Sequence, residues 1–158
     1  MNTQTSKSYD APARYLHTQL GYVTGGAGLL GLLITYGGFM DSLSGSDSVG
    51  YVALGGFGLL TVLFASLTTE VTDREFRFHF GPGFWRQTYP VDTIRSAEVV
   101  RNPIWYGWGI RYTPAGWLYN VSGRSAVEID LGTEGVIRVG TDEPEQLTRA
   151  LRQAVEAA

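Results

Sequence analysis

Three kinds of hydrophobic pattern succeed one another along the chain. The first 19 residues are polar and patternless. Then comes "LGYVTGGAGLLGLLITYGGFM", Leu20 to Met40, without a charge over 21 residues, and after "DSLSGSDS" a second uncharged run, "VGYVALGGFGLLTVLFASL", Val49 to Leu67. Beyond Leu67 the pattern alternates. In "EFRFHF" Phe76, Phe78 and Phe80 point one way and Arg77 and His79 the other, as in a half-buried strand. "GPG" (Gly81 to Gly83) breaks that strand, and "FWRQTYPVDTI" resumes it. "RSAEVVRN", "WGIRYTP" and "WLYNVSG" read as further strands, the last two turning at "TPAG". "AVEIDL" and "VIRVG" form the plainest pair, with Val127, Ile129, Leu131, Ile137 and Val139 inward and "GTEG" between them. Leu147, Ala150, Leu151, Ala154 and Val155 recur at helical spacing, behind Pro144 and a capping-box pair, Asp142 and Glu145.

About seven antiparallel strands joined by turns, and a final amphipathic helix, predict a β-barrel closed by that helix over residues 68–158. The two uncharged runs are each long enough for a transmembrane helix. They predict a helical hairpin over 20–67, with spans 20–40 and 49–67 and an outer loop 41–48. Lys7 and Arg14 precede the first span, Arg74 and Arg77 come after the second, and the loop has no basic residue. The positive-inside tendency then places both termini, including the polar segment 1–19, in the cytosol of an integral inner-membrane protein. No cleavable signal peptide is expected, because the apolar run is too long for a signal core. Small residues let membrane helices approach closely, which makes Gly21 with Gly25, and Ala27 with Gly31, the candidate helix-packing pairs, within one chain or between copies.

Composition removes several functions. The chain has no cysteine, so thiol chemistry and disulfides are out. Its formal net charge is −3, and residues 68–158 carry ten arginines against twelve acids, which argues against nucleic acid as a partner. Neither span contains Asp, Glu, Lys, Arg or His to mark a transport pathway, so an enzyme or transporter is the least favoured reading. His17 and His79 are the only histidines, the carboxylate pairs have structural explanations, and no phosphate-cradling loop comes after a strand. No catalysis, cofactor or metal is expected.

Large aromatic residues gather in "RNPIWYGWGIRYTPAGWLYNVSG", Arg101 to Gly123, which holds three of the four tryptophans. Trp108, Trp117 and Tyr119 alternate along strands and are expected in the core. Asn102 and Pro103 interrupt the strand pattern, which puts Ile104, Trp105 and Tyr106 on a connection flanked by Arg101 and Arg111. That connection is either a packed cover or an exposed contact surface for a protein or the bilayer headgroups, and these five residues are the candidate interaction surface.

The phrases "FGPGFWRQTYPVDTIRSAEVV", "WYGWGIRYTPAGWLYNVSG" and "VIRVGTDEPEQLTRAL" resemble small prokaryotic two-helix membrane proteins with a bacterial pleckstrin-homology-like C-terminal domain. The resemblance implies the barrel-and-helix order and no particular activity. The basic first loop with which eukaryotic pleckstrin-homology domains hold phosphoinositides has no counterpart, since "GPGFWRQ" supplies only Arg86. The expected function is a membrane-anchored binding or scaffolding module contacting an unidentified protein partner or membrane lipid. The alternative is a structural homo-oligomer assembled through the glycine-rich helices.

Overall fold

The computed structural model describes residues 13–41 and 48–158. Strand β1 (Tyr15–Leu20) leads into helix α1 (Tyr22–Asp41), helix α2 (Ser48–Leu63) returns, and β2 (Ser66–Val71) pairs antiparallel with β1. β3 (Glu75–Phe80) and β4 (Trp85–Pro90) complete a four-stranded antiparallel sheet in chain order. The second sheet contains β5 (Ser96–Arg101), β6 (Gly109–Thr113), β7 (Gly116–Asn120), β8 (Ser125–Asp130) and β9 (Val136–Gly140) in the order β5-β8-β9-β7-β6, with β7 and β9 parallel. Helix α3 (Pro144–Ala157) packs against β5 and β8 of one sheet and β1 and β2 of the other.

The phenylalanine alternation in β3 builds the centre of the fold. Phe76, Phe78 and Phe80 are fully buried and meet Val127, Ile129, Ile137, Val139 and Tyr119 of the second sheet, while Leu147, Ala150, Leu151 and Ala154 of α3 seal the same cluster. The outward faces carry ion pairs at matching register. Arg77 forks onto Glu70 at 2.7 and 2.9 Å across β2–β3, and Arg138 onto Glu128 at 2.7 Å across β8–β9. The helix begins at Pro144 as its first-turn proline predicts, but no capping box forms. Asp142 instead accepts from His17 Nε2 at 2.6 Å, tying β1 to the start of α3.

Several expectations are corrected. Among the described residues no helix is long and apolar enough to cross a membrane, so the transmembrane hairpin and the inner-membrane localisation do not stand. α2 has only 16 residues, roughly 24 Å, against a hydrocarbon core of roughly 30 Å. The second uncharged run ends early because its tail is used elsewhere: Ser66 opens β2 and Leu67 is a core residue. α1 has 20 residues, but six are glycines, which lengthen the helix while adding little apolar surface. Most of the outer loop 41–48 lies outside the described residues, as do residues 1–12. The β-barrel is also corrected: the two sheets of four and five strands are not closed into one. The additional strands beyond the expected seven are β1, read from sequence as polar terminus up to the start of the first span, and β2, which straddles the expected boundary between the second span and the domain 68–158. β1 hid itself because its inward positions are Tyr15, His17 and Gln19, whereas Leu16 and Leu20 face out.

Candidate functional site

The aromatic connection crosses the outer face of the second sheet. Leu118 and Ala126 are completely buried although they lie outside the core cluster, because they alternate with Tyr119 and Val127 and so point to the opposite face. The segment from Asn102 to Trp108 is bonded to the bend that joins β7 to β8. The Asn102 N–H donates to the Arg124 carbonyl at 2.8 Å, and Trp108 Nε1–H donates to the Gly123 carbonyl at 2.9 Å. Asn102 itself is buried. Its side-chain oxygen accepts from Arg138 at 3.1 Å, its carbonyl accepts from Arg124 Nε at 3.1 Å, and its side-chain nitrogen Nδ2 is buried without a partner.

Between these anchors Ile104 to Tyr106 form one short 3-10 turn, closed by Gly107 at φ +63°, and its side chains go different ways. Trp105 is 78% exposed and Ile104 62%, while Tyr106 is half-buried. Arg111 donates to the Trp108 carbonyl at 2.7 Å, and its guanidinium lies over Gly107, where a Cβ would stand 2.9 Å from one of its nitrogens. Arg101 is exposed at the end of β5, one step in register from Arg124. The structure therefore keeps Ile104, Trp105, Tyr106 and Arg111 together at the turn, whereas Arg101, opposite Ser125, lies on the sheet face of Val127 and Ile129. It adds Arg124 and Arg138, which sequence reading missed because strand pairing, not chain proximity, delivers them. The interruption at Asn102 was the one available signal, since a polar residue that breaks a strand pattern is a natural anchor.

A second aromatic group lies at the β6 edge. Tyr119 is in the core as expected, 4.8 Å from Phe78 between ring centroids. Trp117 and Trp108 are not in the core: Trp117 is 46% exposed and Trp108 half-buried. β6 pairs only with β7, so the end of the sheet extends beyond the cover that the other layers provide. Trp117 stacks on Tyr119 and receives the edge of Tyr112, itself 73% exposed, so aromatic contact runs unbroken from core to surface.

Polar groups elsewhere are occupied structurally. His17 bridges Asp142 and Glu143, and burial pushes the neighbouring Tyr15 phenol up to about 12, with Thr141 partly opposing and Glu143 adding. A phenol so shifted is a proton donor at neutral pH and a poor nucleophile. Burial likewise pushes Tyr89 up to about 12, reinforced by Tyr119 and Glu134. Among the described residues no group of three or more potential ligands could hold a metal ion.

The helix pair uses its small residues selectively. A Cβ on Gly21 would meet the Phe64 carbonyl at 2.8 Å, one on Gly28 the Thr61 Cβ at 2.9 Å, and one on Gly31 the Phe57 ring at 2.9 Å. Gly21 and Gly31 thus pack within the chain, together with Gly28. Gly25 has open space where a Cβ would stand, and Ala27 is exposed. No protein-family model, no curated protein and no solved structure matches this chain, so the resemblance to the pleckstrin-homology-like membrane proteins rests on the quoted phrases alone.

Proposed function

We propose that the chain is a non-catalytic binding or scaffolding module whose two-sheet body engages a protein partner through the connection Arg101–Arg111. One observation carries the reading: Trp105 and Ile104 stand exposed on a turn whose two ends are hydrogen-bonded to the short bend that joins β7 to β8. Large apolar side chains presented from a fixed base suit a contact surface, because little conformational entropy remains to be lost on binding. Neither His17, engaged by two carboxylates, nor the protonated Tyr15 beside it supplies an activated nucleophile. The test places a photo-reactive phenylalanine at Tyr106 of the full chain in its native cells. A discrete adduct is expected, and it should disappear when Trp105→Ala is added. An adduct indifferent to Trp105→Ala, or none at all, rejects the reading.

A second reading, self-assembly of copies through the helix pair, has its own observation. Leu29, Leu30, Leu33 and Ile34 of α1 and Leu59 and Leu60 of α2 are all exposed, and Gly25, Gly55, Gly56 and Gly58 leave unfilled space beside them. Contiguous apolar surface of this kind calls for a cover, and a second copy offers one equally free of charge. Gly25→Leu should shift the sedimentation of the full chain toward monomer with its circular dichroism intact. Gly31→Leu should instead disturb α1–α2 packing, because Phe57 already fills that space. An unchanged sedimentation profile for Gly25→Leu counts against assembly on this face.

A further inference from the structure

The chemistry of the partner can be read from the charges around the aromatic turn. Arg111 and Arg124 are exposed and border the turn, and among the described residues neither has a carboxylate partner. Arg111 and Arg124 each direct an N–H at a backbone carbonyl of the connection. Those bonds orient the guanidinium without neutralising it, and the remaining N–H groups of each five-donor fork are left for a ligand. A held guanidinium fork suits a carboxylate, which it can grip through two parallel hydrogen bonds.

The same face carries acids at defined places. Across the strands, Arg111 lies opposite Leu118, Leu118 opposite Arg138, Arg138 opposite Glu128, and Glu128 opposite Glu98. Arg138 and Glu128 neutralise each other, so the uncompensated charges on this face are Arg111 on β6 and Arg124 beside the turn, against Glu98 on β5. A uniformly anionic surface, such as a lipid leaflet or a nucleic-acid backbone, would confront Glu98 as well as the two arginines. A polypeptide sets its charges one at a time and can place carboxylates on Arg111 and Arg124 alone.

We propose, resting on the binding-module reading above, that this face binds an acidic segment of a partner protein, with carboxylates on Arg111 and Arg124 and a large apolar side chain against Trp105 and Ile104. The experiment pans a random-peptide display library on the full chain and measures the synthetic winners by fluorescence anisotropy. Vesicles of phosphatidylcholine with phosphatidylglycerol, and inorganic phosphate, are run in parallel. Winners should be enriched in Asp or Glu beside an aromatic or aliphatic residue. Their affinity should fall about tenfold or more in the Arg111→Gln/Arg124→Gln double variant, since charge-assisted hydrogen bonds are lost, and should weaken as salt rises. Winners without acidic enrichment that still depend on Trp105 overturn this inference and leave the binding-module reading standing. Winners indifferent to Trp105→Ala overturn both. Arginine-dependent binding to the vesicles or to phosphate, without peptide enrichment, overturns the inference in favour of an anionic headgroup or a free anion. Both arginines are exposed, and an unchanged thermal melt of the double variant separates lost binding from lost folding.

Discussion

Phe78→Ala should destabilise the chain by about 3–5 kcal/mol, the range for emptying a buried phenylalanine site. The side chain is fully buried at the crossing of the two sheets, with Phe76, Tyr89 and Tyr119 ring centroids at 5.7, 6.3 and 4.8 Å. Two of those rings belong to the first sheet and one to the second, so no single neighbour can move to fill the hole. Domains of ordinary size are stable by about 5–15 kcal/mol, and the loss would consume a large part of that. Urea denaturation monitored by circular dichroism measures it. Tyr112→Ala is the control, because a side chain 73% exposed should change stability by only about 0.5 kcal/mol either way. Equal losses for the two variants would mean that the sheets do not meet at Phe78.

Gly116→Ala should cost about 2–6 kcal/mol, from backbone strain and overlap together. Gly116 starts β7 at φ +104°, and an added Cβ would overlap the carbonyl oxygen of Val136 and stand 2.9 Å from its carbonyl carbon. Both obstacles are main chain, so no rotamer change relieves them. β7 is also the strand through which β6 joins the rest of the sheet, and the parallel β7–β9 contact lies immediately beyond. Gly135→Ala isolates strain from overlap: its φ is +91°, but nothing lies within 4 Å of the added Cβ. It should therefore lose only the strain contribution, about 1–3 kcal/mol. Melting temperatures of the two variants decide the matter, and a penalty for Gly135→Ala as large as that for Gly116→Ala would remove Val136 from the explanation.

The candidate surface is partly legible in the chain itself. Asn102 and Pro103 break an alternating run, and the residues after them are too aromatic for a simple linker, which is enough to single out Ile104, Trp105 and Tyr106. Whether those rings pack or protrude is not written there, since a short 3-10 turn sends neighbouring side chains in different directions. The covered face beneath decides it, because Leu118 and Ala126 need shelter and Asn102 has hydrogen bonds to make. Trp117 misleads for a related reason. Its alternation with Tyr119 correctly puts both on one face, but only the strand order places that face at an edge, where cover runs out.

Local chemistry alone accounts for most of the strands from Glu75 onward, their turns at glycine and proline, and the buried stripe of α3. These depend on periodicity and on backbone conformations that a few residue types favour, both short-range properties. The uncharged runs likewise establish two apolar helices, but neither where the second one ends nor what surrounds them. Leu67 is as apolar as the residues before it and belongs to the sheet because β3 offers it hydrogen bonds and Phe80 sits opposite. β1, the division into two open sheets, the parallel β7–β9 pair and the gathering of Arg111, Arg124 and Arg138 round one aromatic turn all belong to tertiary structure. Each depends on pairing between strands that are neighbours in space and need not be neighbours in the chain, and a pattern read along a single strand carries no record of its partner.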